Sequence, residues 1–200
     1  MTTETVLALM SFALVMSITP GPANFLLLAS GANFGIFRTL PLLFGVSFGF
    51  LFMVFLVGLG LGGLLTQYPA IHTVLRIACG AYILWLAYKI GRSRSLGKGE
   101  DGMAKPLGFL QAALLQWVNP KAWTVALIVN VSYAFPGAVL PGLLKMIPLF
   151  AVVNLPSIGV WALSGSALRG YLSGSGRLAV FNVIMALLLV LSTIPMLLNA

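Results

Sequence analysis

Charged side chains are too scarce in this sequence to cover the surface of a protein in water. The chain has 200 residues, of which 11 are Lys or Arg and 3 are Asp or Glu, so 7% of it is charged. Soluble domains carry about 25% charged residues, and disordered chains are also polar and charged. A single cysteine, Cys79, excludes a disulfide scaffold within the chain. A lipid bilayer is the solvent that suits such a composition.

Six apolar segments follow one another along the chain, separated by turn residues or charges. A helical span needs about 20 residues, and these runs lack the alternating pattern of membrane β-strands. The first run contains Pro20 and Pro22 and has Glu4 in place of a basic start, so we expect it to be retained rather than removed as a signal peptide. We predict an all-α membrane protein with six transmembrane helices, at residues 6–34, 40–65, 71–90, 107–134, 140–167 and 178–198.

The basic residues are distributed unevenly between the two sides of the predicted helices. The positive-inside rule places the loops with most Lys and Arg in the cytoplasm, which leaves both termini outside. Most of the basic residues fall on that side: Arg38, Lys89, Arg92, Arg94, Lys98, Lys105, Arg169 and Arg177.

A polar linker, residues 91–106, divides the chain into two halves of three predicted spans, 1–90 and 107–200. The halves share a proline near the middle of one span, a proline that opens the next and an arginine that opens the third. The matched positions are Pro20 and Pro120, Pro41 and Pro141, and Arg76 and Arg177. Because three is odd, the second half would enter the membrane from the opposite side. This predicts two inverted three-helix repeats with broken helices 1 and 4, as in many secondary transporters.

The first predicted break lies in the run from Thr19 to Asn24. Pro20 and Pro22 cannot donate a backbone hydrogen bond, and Gly21 between them tolerates unusual dihedral angles. Pro22 suits the first position of a new half-helix, whose early N–H groups form a positive dipole end. We expect those groups to belong to residues 23–25.

The second predicted break lies at Asn119 and Pro120. Asn119 is expected to cap a half-helix that starts at Pro120, and the carbonyl of Gln116 loses its helical partner. Two half-helix starts near the middle of the membrane can bind a carboxylate, and the carbonyls across each break can accept from an ammonium. That combination suits a zwitterionic amino acid, although proline kinks that only shape the bundle remain an alternative.

Lys121 is the only charge predicted to lie deep in a span, where insertion costs at least about 2.5 kcal/mol. It either contacts a substrate carboxylate or extends to the membrane interface. Asn154, beside an expected break at Pro156, is assigned to the substrate pathway, while Asn182 is interpreted first as a link between helices. The candidate substrate-binding residues are Thr19, Pro20, Gly21, Pro22, Asn24, Gln116, Asn119, Pro120, Lys121 and Asn154.

The three acidic residues, Glu4, Glu100 and Asp101, all lie outside the predicted spans. Their positions disfavour a carboxylate proton relay, a strongly cationic substrate and a metal site, so we expect no cofactor, no metal and no nucleic-acid partner. The chain is not predicted to be an enzyme. A non-transporting assembly subunit, or a small membrane enzyme or redox relay, is the alternative class. Glycines in the second span suit close packing within one protomer or between protomers, which leaves a homo-oligomer open.

Several motifs resemble the lysine-exporter/homoserine-threonine-resistance (LysE/RhtB) family. Residues 17–24, Ser-Ile-Thr-Pro-Gly-Pro-Ala-Asn, resemble its T-P-G-P-x-N signature, and residues 31–38 resemble its G-x-x-x-G-x-x-R turn. Residues 109–123, which end Asn-Pro-Lys-Ala-Trp, are similar to its fourth span. Residues 45–51 are similar to the branch that exports cysteine and O-acetylserine.

The resemblance implies a multi-pass protein of the bacterial inner membrane, so the outer side predicted for both termini is the periplasm. It implies export of amino acids or close derivatives, coupled to an ion such as H⁺. The inverted repeats predict alternating access, and the absence of acids from the spans favours neutral substrates such as threonine, homoserine, serine or cysteine. Phe50 stands where many members have a polar residue, and the sixth span lacks the usual glycine. These departures favour a neutral substrate.

Overall fold

The computed structural model of the chain describes residues 1–61, 69–93, 105–133, 137–173 and 176–194. Within those ranges the backbone forms helices and no strand, in agreement with the predicted all-α fold. A short π-helical segment, Val57–Leu61, extends the third helix. The described ranges contain eight α-helices: α1 Thr3–Ile18, α2 Pro22–Phe34, α3 Ile36–Leu56, α4 Pro69–Arg92, α5 Phe109–Trp117, α6 Pro120–Ser132, α7 Val139–Leu172 and α8 Arg177–Leu191.

The outer surface of the bundle is apolar, as expected for a protein in lipid. Phe37 is 84% exposed and Val131 is 80% exposed. Two helical stretches, Ile36–Leu61 and Val139–Leu172, are long and apolar enough to cross a bilayer. Helices α1 and α2 make a third span if their 59° bend is counted within one crossing. These counts cover only the described ranges, so six spans remain a prediction.

The second span begins earlier than predicted. Gly35 has φ 82°, a conformation that favours glycine, and it separates α2 from α3. Helix α3 therefore starts at Ile36, whose N–H donates to Ser166 Oγ at 3.2 Å, and Pro41 lies inside the helix. The prediction that Pro41 opens this span is wrong, because the glycine rather than the proline sets the boundary.

Two further boundaries differ from the predicted ones. Helix α4 starts at Pro69, a residue suited to the first helical position, so Arg76 lies within the helix rather than at its start. The break expected in the fifth span at Asn154 and Pro156 is absent, since α7 continues through both residues. One missing donor is tolerated because packing against neighbouring helices holds the backbone in place. By contrast, Pro141 lies in the first turn of α7 and Arg177 begins α8, as predicted.

Glycines bring two pairs of helices into backbone contact. A Cβ at Gly165 of α7 would lie 2.0 Å from the carbonyl oxygen of Leu28 in α2. A Cβ at Gly45 of α3 would lie 2.3 Å from the carbonyl oxygen of Phe109 in α5. Small residues therefore permit close packing within one protomer, the first of the two roles predicted for the glycines of the second span.

The buried apolar side chains form two main clusters, and the broken helices connect them. Helices α1 and α6 contribute Leu9 and Val125 to one cluster, whereas α2 and α5 contribute Leu26 and Leu115 to the other. Each broken helix therefore passes from one cluster to the other at its break. Most of the predicted linker (residues 94–104) and the end of the predicted second span (residues 62–65) lie outside the described residues.

Candidate functional site

The first break lies between Ile18 and Pro22, as predicted. Helix α1 ends at Ile18, the backbone of Gly21 is extended, and Pro22 occupies the first position of α2. A Cβ at Gly21 would lie 2.9 Å from Cδ of Lys121. Because glycine has no side chain, the Lys121 side chain has room to pack against the backbone of the first break. The break is therefore both a bend in the backbone and a contact between the two halves of the chain.

The second break lies at Val118 and Asn119, between α5 and α6. Asn119 occupies the capping position and Pro120 the first helical position, as predicted. The Asn119 side chain makes no capping hydrogen bond, however. Its Nδ2 instead donates to Gln116 Oε1 at 3.2 Å, and Gln116 Nε2 donates to the carbonyl of Ala112 at 3.4 Å. The expected side-chain cap is wrong because these amides pair backwards along α5.

Each new half-helix begins with two backbone N–H groups that have no acceptor in the described structure. They belong to Ala23 and Asn24 at the start of α2, and to Lys121 and Ala122 at the start of α6. The expectation for Phe25 is wrong, because its N–H donates to the carbonyl of Gly21 at 3.0 Å. Four unpaired donors and two positive helix ends therefore border the region between the breaks.

The carbonyls at the end of α1 were predicted to accept hydrogen bonds from a substrate ammonium, but side chains of the protein already donate to them. Asn24 Nδ2 donates to the carbonyls of Ser17 and Thr19, each at 2.9 Å. Trp161 Nε1 donates to the carbonyl of Ile18 at 3.1 Å. Lys121 Nζ also donates to the carbonyl of Thr19, which ties the second half of the chain to the first.

Asn154 joins three helices at the same level of the bundle. Its Nδ2 donates to Ser17 Oγ at 2.9 Å, and its Oδ1 accepts from Ser47 Oγ at 2.8 Å. Ser17 and Ser47 are not among the substrate-binding residues predicted from the sequence. Ser17 directly precedes the first break, and Ser47 lies between Gly45 and Gly49, so nearness to the break and to a close helix contact were the available signals.

A cavity lies between the two breaks and gathers most of the predicted residues. It offers about 50 Å³ to the centres of water molecules, room for several waters, since one needs about 10–15 Å³. Among its described lining residues, Lys121 is the one charged side chain. Thr19, Pro20 and Pro120 are not in its wall, although they shape the breaks. The predicted residues that line it are Gly21, Pro22, Asn24, Gln116, Asn119, Lys121 and Asn154.

A second group of buried amides lies away from this cavity. Asn33 Nδ2 donates to Asn182 Oδ1 at 2.8 Å, and Asn182 Nδ2 donates to Asn33 Oδ1 at 3.1 Å and to the carbonyl of Ser93 at 3.0 Å. We call these three residues the amide lock. It joins α2 and α8 to the residue that follows α4, so Asn182 links helices, as interpreted from the sequence.

The described residues contain no group of three or more His, Cys, Asp or Glu side chains that could hold a metal ion. What the cavity presents is a cation, amides and unpaired backbone donors between two bent helices. A sequence model of the family named "LysE type translocator" matches residues 14–199.

The chain belongs to this family of translocators. The resemblance found in residues 17–24 and 109–123 is therefore confirmed, and the protein is a transporter rather than an enzyme. This LysE-type translocator is also similar to curated proteins named "Cysteine/O-acetylserine efflux protein". The one from Escherichia coli (strain K12) is 32% identical over 193 residues, 95% of this chain and 96% of that protein.

The same name is carried by a relative from Shigella sonnei (strain Ss046), with the same identity and coverage. The relative from Shigella flexneri is 32% identical over 186 residues, 92% of each chain. These names agree with the branch suggested by residues 45–51. No solved structure matches the translocator.

Proposed function

We propose that the translocator exports small neutral amino acids or close derivatives across the bacterial inner membrane. The observation that carries the proposal is the cavity where both broken helices meet. Interrupted helices in corresponding positions of the two halves are the best sequence indication of a transporter's substrate site. The relatives' name, which specifies cysteine and O-acetylserine, supports a substrate of this chemical class.

The substrate's carboxylate would bind between the two half-helix starts. The unpaired N–H groups of Ala23, Asn24, Lys121 and Ala122 border the cavity, and the Lys121 ammonium adds a full positive charge. A helix N-terminus favours an anion through its N–H groups and its dipole. A bound carboxylate would also offset the unfavourable position of a lysine at the positive end of α6.

The cavity wall favours a neutral amino acid over a cationic one. It carries Lys121 and, within the described structure, no acidic side chain that would neutralise a second positive charge. Its limited volume favours a small side chain such as that of serine, cysteine, threonine or homoserine. In this proposal Asn154 and Ser17, which hydrogen-bond to each other, would contact the substrate's hydroxyl or thiol.

Alternating access by two inverted repeats, 1–90 and 107–200, is part of the same proposal. Both broken helices change clusters at the break, and both start a half-helix at a proline that follows the break. In this scheme the repeats rock around the cavity, both termini face the periplasm and the linker 91–106 faces the cytoplasm. A coupling ion such as H⁺ would supply the driving force. A non-transporting assembly subunit would have no use for matched breaks.

The direct test is transport by the purified protein in proteoliposomes. Labelled serine, threonine, homoserine, cysteine, O-acetylserine, lysine and arginine would be measured in exchange and with an imposed pH gradient. We expect saturable exchange of one or more of the small neutral compounds and none of lysine or arginine. Absence of flux for the whole panel, with a folded protein, would overturn the proposed function.

Two variants locate the site. Pro20→Ala restores a backbone donor at the first break, and Asn119→Ala removes an amide at the second. Both should lower exchange by at least about tenfold while the protein still inserts and purifies. If both variants keep full flux, the substrate site lies elsewhere in the protein.

A further inference from the structure

Asn119 contains an unsatisfied acceptor at the cavity. The residue is 3% exposed and lines the cavity, yet its Oδ1 has no hydrogen-bond partner. Among the described residues it is the one buried side-chain polar atom in that condition. Buried polar atoms without partners are rare in folded proteins, and a functional role is one of the explanations for them.

The orientation of the Asn119 amide is determined by its neighbours. The carbonyl of Ala112 can only accept, so it requires the Nε2 side of Gln116 to face it. Gln116 Oε1 then faces Asn119 and requires its Nδ2 side. Oδ1 is left as the unpaired acceptor at the end of this hydrogen-bonded chain. Because the Asn119 amide donates through Nδ2, its Oδ1 becomes more negatively polarised.

Several other acceptors near the breaks already have donors. The carbonyls of Ser17 and Thr19 accept from Asn24, and Asn154 Oδ1 accepts from Ser47. A substrate ammonium therefore meets two side-chain acceptors without a donor among the described residues at the cavity, Asn24 Oδ1 and Asn119 Oδ1, and of these Asn119 Oδ1 is the fully buried one. Asn119 lies directly before the start of α6, where unpaired N–H groups suit the carboxylate, so both charged groups of an amino acid have complementary partners within one turn.

We propose that Asn119 Oδ1 accepts a hydrogen bond from the substrate's α-ammonium and so makes the translocator selective for amino acids over their deaminated analogues. This inference rests on the proposed function and names a specificity-determining residue within it. Because Asn119 Oδ1 is buried in the described conformation, a substrate reaches it only after the site has opened. A site built to hydrogen-bond a group discriminates strongly against an analogue that lacks it, because the site's own polar atom is then left unpaired.

The test compares L-serine with 3-hydroxypropanoate, which has the same carboxylate and hydroxyl and lacks the ammonium. Each compound is used as an unlabelled competitor of amino-acid exchange in proteoliposomes. In the wild type, serine should inhibit at a concentration about 10- to 100-fold lower than 3-hydroxypropanoate. In Asn119→Leu, inhibition by serine should weaken to that of 3-hydroxypropanoate, while inhibition by the analogue stays unchanged.

Two further variants separate recognition from structure. Asn119→Asp loses the donor to Gln116 Oε1 but keeps an acceptor at the Oδ1 position and suits a helix cap, so it should keep a preference for serine even if the leucine variant fails to fold. Asn130→Leu is the matched control, because Asn130 lies on the same helix and donates to the carbonyls of Val54 and Ala126 away from the cavity. It should leave the serine preference at its wild-type value.

The proposal is overturned if Asn119→Leu weakens both competitors equally, if it keeps the wild-type preference, or if Asn119→Asp abolishes the preference. A wild-type protein that exchanges no amino acid fails differently, because the proposed function itself is then wrong. A wild-type protein that exchanges amino acids but does not distinguish serine from 3-hydroxypropanoate contradicts only the assignment of Asn119.

Discussion

The cavity between the breaks and the amide lock are both built from buried asparagines, yet they differ in how completely those asparagines are paired. In the lock, Asn33 and Asn182 donate to each other, and Asn182 also donates to the carbonyl of Ser93. At the cavity, Asn119 makes one hydrogen bond and leaves its acceptor unpaired. Amides whose donors and acceptors are paired with one another hold helices together, whereas an amide with an unpaired acceptor can bind a ligand.

The comparison separates two roles that the sequence cannot distinguish. An asparagine inside an apolar span either binds a neighbouring helix or contributes to a pathway. An unpaired end of its amide indicates the pathway role, because each unmet buried group costs about 1–3 kcal/mol unless a ligand satisfies it. Changes in the lock should therefore affect stability, and changes at the cavity should affect transport.

The largest expected effect is a loss of folding, which would disrupt the cavity and the amide lock together. Gly165→Ala would place a Cβ 2.0 Å from the carbonyl oxygen of Leu28, which forces α2 and α7 apart. We expect a loss of at least about 3 kcal/mol and little folded protein, measured by size-exclusion chromatography in detergent. Gly170→Ala on the same helix is the control, since no atom lies within 4 Å of its Cβ. A Gly165→Ala protein as stable as this control would contradict the close packing of α2 and α7.

Lys121→Met should affect the cavity alone. Removing its charge and its bond to the carbonyl of Thr19 should lower exchange by at least about 100-fold, with wild-type yield and little change in thermal stability. Lys89→Met is the matched control, because Lys89 Nζ lies over the Trp85 ring, 4.3 Å from its centroid, and not in the cavity wall. Normal exchange by Lys121→Met would show that Lys121 does not contact the substrate and only connects the two halves of the chain.

Asn182→Leu should affect the lock alone. It leaves the amide of Asn33 without its partner, which should lower the free energy of unfolding by about 1–3 kcal/mol, measured by thermal unfolding. The KM for the exchanged amino acid should stay within about twofold of wild type. The double variant Asn33→Leu/Asn182→Leu should be less destabilised than the sum of the single variants. Additive losses would show that the two amides act independently.

The smallest expected effect concerns a single hydroxyl. Ser47→Ala removes one of the two bonds of Asn154, and Ser17 still holds the amide, so KM should rise about two- to tenfold. Ser30→Ala is the counterpart outside the cavity, because its hydroxyl pairs with Thr39 Oγ1 at 2.9 Å. It should lower stability slightly and leave KM unchanged. An equal rise in KM for both variants would show that the effect on transport is not confined to the cavity.

The sequence alone predicted the class of the protein and the position of both breaks. Scarce charge determines a bilayer as the solvent. A proline removes a backbone donor whatever surrounds it, so the bends before Pro22 and Pro120 follow from local chemistry. The same local reasoning was wrong at two other prolines. Gly35 rather than Pro41 sets the start of α3, and packing of α7 against neighbouring helices outweighs the donor missing at Pro156.

Only the tertiary structure decided which groups meet at the breaks. The sequence placed Lys121 and Asn24 near them, but not the bonds from both side chains to the carbonyl of Thr19. It likewise placed Asn119 at a cap without showing that its Oδ1 stays unpaired. A broken helix exposes backbone groups by itself, but the partner that satisfies each group comes from residues distant in the chain. Local sequence therefore determined where the site opens, and packing determined what it leaves for a substrate to bind.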